Sequence, residues 1–225
     1  MNGTAGEQAA APGPVRVGIL IYAGCDLLDL GGPYEALLTA DRLLQRAERG
    51  ERIEVVTLGV GTAPLRAYGG LGLVPHLPAD DAGHLDAVVV PGTVEVAVAL
   101  DAPALIATVE QLAARARLVT SVCTGSFLLA AAGLLEGRRA TTHHEDLPAL
   151  AARGDVGTAV AGARVVVDGE LMTAGGLSCG LDLGLDLVAH LVDEALATAT
   201  AAQLAHPYTP ATAPVTKLGG QEADR

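Results

Sequence analysis

Residues 118–135 read LVTSVCTGSFLLAAAGLL, eighteen residues without a charge. That length touches the lower limit for a membrane-spanning helix, but the interior of the stretch argues against one. Thr120, Ser121, Thr124, Gly125 and Ser126 interrupt it. The part before them is rich in β-branched residues, and SFLLAAAGLL after them in good helix formers. The segment therefore reads as a buried strand over 118–122 that turns at Cys123 into a buried helix.

The same alternation extends outward on both sides. Residues 15–22 (VRVGILIY) and 53–60 (IEVVTLGV) are apolar runs of strand length, and 87–90 (AVVV) is a third, closing at Pro91-Gly92. Between them, 33–49 keeps apolar residues at helical spacing and stops at Gly50, and 104–115 does the same with Leu105, Ile106, Val109 and Leu112. Strands separated by helices predict a single-domain α/β fold, doubly wound, with a mostly parallel sheet and helices on both faces. Reactive groups then belong at the C-terminal ends of the strands. Residues 65–78 (LRAYGGLGLVPHLP) read as a hairpin or excursion, and 139–154 as a short strand, a turn and a short helix. Residues 163–176 read as a hairpin around Asp168-Gly169, and 181–196 as a final helix. No internal repeat is present. The expected organisation is a disordered leader over 1–14, one domain over 15–205 and a tail over 206–225.

Composition narrows the function. The chain has 225 residues, half of them hydrophobic but with only four Tyr, one Phe and no Trp, so its core is aliphatic. A formal charge of −12 repels phosphate backbones and anionic lipid surfaces, which speaks against nucleic-acid and membrane partners. Three cysteines without a CxxC pair do not make a disulfide framework, and no basic-then-apolar start resembles a signal peptide. These features fit a reducing cytoplasm.

Cys123 is the leading candidate for chemistry. A thiol between a strand and a helix opening with Thr124-Gly125-Ser126 sits on a nucleophile elbow. The helix N-terminus is expected to lower its pKa and favour thiolate. The alternative is a buried structural cysteine, the reading given to Cys25 and Cys179, which lack that setting. Asp29 follows the first strand at the same sheet edge. It is either an acid/base carboxyl, useful if protonated beside the thiolate, or the N-cap of the next helix. Gly92 and Thr93 end the third strand, where backbone N–H groups can complete an oxyanion hole with that of Thr124. His143, beside His144, invites a Cys–His pairing, and no metal-ligand spacing accompanies the two.

Together GILIYAGCDLLDLGGPYEAL (18–37), DAVVVPG (86–92), the run from Val119 to His144 and MTAGGLSCGLDLGLDLV (172–188) resemble the ThiJ/PfpI superfamily, the cysteine branch of the class I glutamine amidotransferase-like, flavodoxin-like fold. The likeness runs from about 15 to 205. Within it, LLDLGGP, VCTGS and TAGGLSCGLDL are most similar to isonitrile hydratases and to the ligand-sensing halves of AraC-type regulators. The resemblance implies a cofactor-free enzyme acting on a small molecule as a homodimer. Cys123 would be its nucleophile, Asp29 the acid/base carboxyl and Thr124 the neighbouring hydroxyl and amide. It also implies alternatives: a glyoxalase-like enzyme acting on a small carbonyl or a specialised-metabolism intermediate, or a ligand- or redox-sensing domain. The chain departs from relatives with Gly-Gly at Gly92-Thr93 and from the peptidase-like branch, which has His where Thr124 stands. A regulator also needs a DNA-binding helical domain after the last helix, where only the short tail is expected.

Overall fold

A computed structural model describes residues 13–211 and 216–217. Strand β1 (Val15–Ile21) leads into α1 (Leu27–Arg46), and β2 (Ile53–Gly59) lies parallel to β1. The excursion forms a small hairpin, β3 (Leu65–Arg66) with β4 (Gly72–Leu73), before β5 (Leu77–Pro78) joins β2. β6 (Leu85–Val90), the short α2 (Val96–Leu100), α3 (Pro103–Ala113), β7 (Ala116–Val122) and α4 (Gly125–Ala131) follow. Then come β8 (Arg139–Ala140), α5 (Leu147–Ala151), β9 (Thr158–Ala161), the β10 (Val165–Asp168) and β11 (Leu171–Ala174) hairpin, α6 (Cys179–Leu191), α7 (Glu194–Gln203) and β12 (Thr216–Lys217).

The main sheet has seven strands in the order β10-β11-β7-β6-β1-β2-β5, all parallel except β10 against β11. From β1 the chain steps one way to β2 through α1, and from β6 the other way to β7 through α3. Right-handed crossovers put those two helices on opposite faces. The doubly wound architecture follows, with the change of direction between β1 and β6. That switch point is where α/β sheets bind ligands. The charge-free stretch that opened the sequence is β7 and α4, and no helix among the described residues is long and apolar enough to cross a membrane.

Three boundaries differ from the sequence reading. α1 begins at Leu27, well before Pro33, because Asp26 caps it: its carboxylate accepts the Leu28 N–H at 3.0 Å. Pro33 therefore lies inside the helix. The expected last helix is two, broken at Val192; Asp193 accepts the Leu196 N–H at 2.7 Å and starts α7. The hairpin over 163–176 is present, with Gly169 at φ 64°, but β11 also pairs in parallel with β7 and so enters the main sheet. Beyond α7, His206 Nε2 lies 3.3 Å from Asp182 and the Tyr208 hydroxyl donates to Asp186 at 2.7 Å, so these residues rest on α6. Residues 1–12 of the expected leader lie outside the described residues, as do 212–215 and 218–225 of the expected tail.

Candidate active site

Cys123 occupies the turn between β7 and α4 at φ 56°, a left-handed conformation that costs a residue with a side chain on the order of 1 kcal/mol or more. Neighbours on both sides hold it there. Its N–H lies 3.1 Å from the carbonyl of Ala174 and 2.9 Å from that of Gly175, at the end of β11. Its own carbonyl accepts the Thr142 hydroxyl at 2.9 Å. Two residues on, Gly125 lies so close to the carbonyl of Val90 that no Cβ fits. This is why a glycine must follow Thr124.

Asp29 stands in the first turn of α1, fully buried. Its Oδ2 accepts the Gly92 N–H at 3.0 Å, while Oδ1 has no hydrogen bond of ordinary length. Of the two sequence readings, the N-cap is excluded, because Asp26 does that work. Burial first, and the charge of Asp26 second, push the Asp29 carboxyl up to about 7; the Gly92 N–H, the Cys123 thiol and the Leu177 N–H pull in the other direction.

The thiol goes the opposite way from the expectation raised by the helix N-terminus. Burial and the nearby Asp29 charge push Cys123 up to about 12, and the N–H groups of Thr124 and Leu177 offset this only in part. Desolvation of the thiol is the largest cause of the rise, and α4, which starts beside it, is only seven residues long. Burial is thus the first cause at both groups, raising the thiol and the carboxyl together.

The donors around the sulfur also differ from the expectation. Gly92 gives its N–H to Asp29, and the Thr93 N–H donates to the Thr124 hydroxyl at 2.8 Å while that hydroxyl donates back to the Thr93 carbonyl at 2.7 Å. Gly92 and Thr93 therefore position other groups and leave no amide for an oxyanion. The amides that face Sγ belong to Thr124 and Leu177. Leu177, at φ 49°, was not foreseen. Its only sequence signal is the Gly175-Gly176 pair before it. Gly92 is also sterically fixed: a Cβ there would stand 2.5 Å from Thr124 Oγ1 and 2.9 Å from Asp29 Oδ2. The buried Tyr22 hydroxyl pins the preceding residue by donating to the Pro91 carbonyl at 2.9 Å.

No hydrogen bond links His143 to Cys123 or Asp29. Its ring packs on Gly176, with Nδ1 3.7 Å from Asp146, and it lines a cavity of about 380 Å³ together with Thr142, Gly175, Leu177 and Cys179, of which the first three also contact Cys123. Cys25 is fully buried and forms an isolated bridge with Thr93. Among the described residues no three His, Cys, Asp or Glu side chains are grouped to hold a metal ion.

The model of the DJ-1/PfpI family matches residues 15–190. The chain is 36% identical to isonitrile hydratase from Pseudomonas putida over 200 residues, 88% of this chain and 80% of that one. It is 40% identical to an uncharacterized protein in the cpoL 5' region of Streptomyces lividans, over 63% of this chain and 96% of that one. Among solved structures, a ThiJ/PfpI family protein from Pseudomonas syringae superposes with a TM-score of 0.74 at 29% identity, covering 93% of this chain and 83% of that one.

Proposed function

The chain belongs to the DJ-1/PfpI family, and within it we propose that it hydrates an isonitrile to the N-substituted formamide, with Cys123 as nucleophile and Asp29 as acid/base. The observation that carries this reading is the pairing of a thiol held on a left-handed turn with a fully buried carboxyl whose pKa is raised to about 7. The relative named isonitrile hydratase supports the choice of substrate.

The chemistry has Asp29 carry two protons in turn. Ionised Asp29 takes the thiol proton as Sγ adds to the terminal isonitrile carbon, and returns it to that carbon. This yields a thioimidate, R–N=CH–S–Cys123. Asp29 then takes a proton from water as the hydroxide adds to the same carbon. Asp29 hands that proton to the nitrogen, the C–S bond breaks as the new hydroxyl becomes the formyl oxygen, and the hydroxyl proton passes to sulfur, so R–NH–CHO leaves with the thiol restored. The sum is one isonitrile plus one water, with no oxidant and no cofactor. Developing charge on sulfur meets the amides of Thr124 and Leu177, worth roughly 3 kcal/mol each where such donors are preorganised. Leu27, Leu28 and Leu177 are exposed hydrophobics on segments that leave the C-terminal ends of β1 and β11, and the exposed Tyr68 of the β3–β4 hairpin donates its N–H to the Cys25 carbonyl beside them, which supports a second copy of the chain covering this edge.

The test is a panel of isonitriles and small carbonyls, with formamide measured by chromatography and Cys123 followed by intact-protein mass spectrometry. A trapped adduct should add the whole mass of the isonitrile, because the first step is an addition. Aldehyde consumption without formamide would move the substrate to carbonyls. Tight binding with no turnover of either would make the domain a sensor.

A further inference from the structure

An apolar cavity of about 370 Å³ opens over the ends of β1 and β2, against α2 and the start of α3. Its volume falls in the range of about 300–1,000 Å³ usual for small-molecule sites. Ile21, Val60, Leu65, Val98, Ala99 and Leu105 supply most of the wall. Asp29, on the first turn of α1, does not line the cavity. Cys123, Thr124 and Leu177 do not line it.

Only three polar side chains reach this space, and two are already paired. The Tyr22 hydroxyl is held by the Pro91 carbonyl. The Thr93 hydroxyl donates to the Gly24 carbonyl at 2.8 Å and accepts the Glu95 N–H at 3.1 Å. The Glu95 carboxylate is exposed at the rim and makes no hydrogen bond or ion pair with the described residues. An occupant must therefore be apolar over most of its surface, with at most one polar group directed at a carboxylate. In a chain of charge −12, an ammonium fits that position and an anion does not.

The geometry points to a second small-molecule site here, for a compact aromatic or aliphatic amine, separated from the reactive thiol by the Gly92–Thr93 segment. The separation is thin. Thr93 forms the inner wall and is clamped to Thr124, while Gly92 holds Asp29. The site stands on cavity shape and charge, whatever the thiol's own substrate is.

Three probes with the same ring and different heads test it: benzylamine, benzyl alcohol and benzoate, titrated into the ¹⁵N-labelled full chain. Amide shifts should centre on Val60, Val98, Ala99 and Leu105. Benzylamine should bind about three- to fivefold more tightly than the alcohol, the worth of one exposed ion pair, and benzoate most weakly. Glu95→Gln, a surface change, should erase the amine's advantage. Ala102→Phe should fill the cavity and weaken all three by roughly tenfold or more. Saturating benzylamine should leave alkylation of Cys123 by iodoacetamide measurable at full extent. The proposal is overturned if no probe binds, or if benzoate binds as well as the amine. It also fails if the shifts move to Cys123 and Leu177 with protection from alkylation, which would make the cavity part of the substrate pocket.

Discussion

Two cysteines stand at strand-to-helix junctions of the same sheet, one strand apart. Cys123 links β7 to α4, and Cys179 opens α6 after β11. Both are nearly buried, and burial pushes both thiols up. The difference lies in the turn. Cys123 is itself the left-handed residue, wedged between strand and helix. Before Cys179 the turn is spread over Gly175–Ser178, with Leu177 taking the positive φ. The partners differ as well. Cys123 faces a carboxyl able to accept its proton, whereas Arg164 near Cys179 is paired with Asp182 at 2.5 Å. The proposed role of Cys123 therefore rests less on the strand–turn–helix junction, which both share, than on the turn that projects it and the proton acceptor beside it.

The comparison breaks most directly by exchanging which thiol is lost. Cys123→Ala should lower formamide production by about a thousandfold or more, while Cys179→Ala should stay within roughly threefold of wild type. Equal losses would remove the distinction. Next in size, Asp29→Asn should reduce kcat by about a hundredfold or more. In wild type, kcat/KM should rise with pH through about 7 as Asp29 ionises, and the variant should lack that rise. Gly92→Ala should cost on the order of tenfold to a hundredfold in kcat, because its methyl displaces both the Thr124 clamp and the Asp29 carboxylate.

Stability sharpens the contrast from the other side. Asp29 has a folded pKa of about 7 against an ordinary value of 3.8, so the folded protein binds the extra proton between those values. Its contribution is fully present below pH 3.8 and is lost as pH rises through 7. Asp29→Asn should accordingly raise the melting temperature relative to wild type at pH 8, by an amount equivalent to a few kcal/mol at most, and the gain should shrink toward pH 4. The smallest effect belongs to Thr142→Val, which removes the hydroxyl from the Cys123 carbonyl and should cost about 1–2 kcal/mol by denaturant unfolding.

Much of the fold is legible from periodicity, because buried parallel strands and their crossover helices carry strong, opposite signals. The run at 118–135 shows both within one stretch. Less legible are features that depend on contacts distant in sequence. β11 looks like half of a local hairpin, and nothing in its residues announces that its other edge pairs with β7 and brings Leu177 to the sulfur. The same limit applies to Gly92 and Thr93: their position at the end of β6 is readable, but the partners that use their amides arrive from α1 and from the turn before α4. The rise of the thiol is not legible either, because the strand–helix junction is visible in sequence and the burial that desolvates the sulfur is not. His143 is readable as a neighbour of Thr142, but its place on Gly176, beside Leu177, depends on the turn after β11.

Gly32 and Gly180 carry one more consequence. A Cβ at Gly32 would meet the Gly180 carbonyl carbon and the Leu181 nitrogen at 3.0 Å, so α1 and α6 touch there backbone to backbone. Asp29 lies three residues before Gly32, and Leu177 three residues before Gly180. The gap between proton acceptor and sulfur-facing amide is gauged by a crossing with nothing in it to compress. Larger residues at either glycine would widen that gauge without touching Cys123 or Asp29, so a variant could lose the proposed activity with both proposed groups in place.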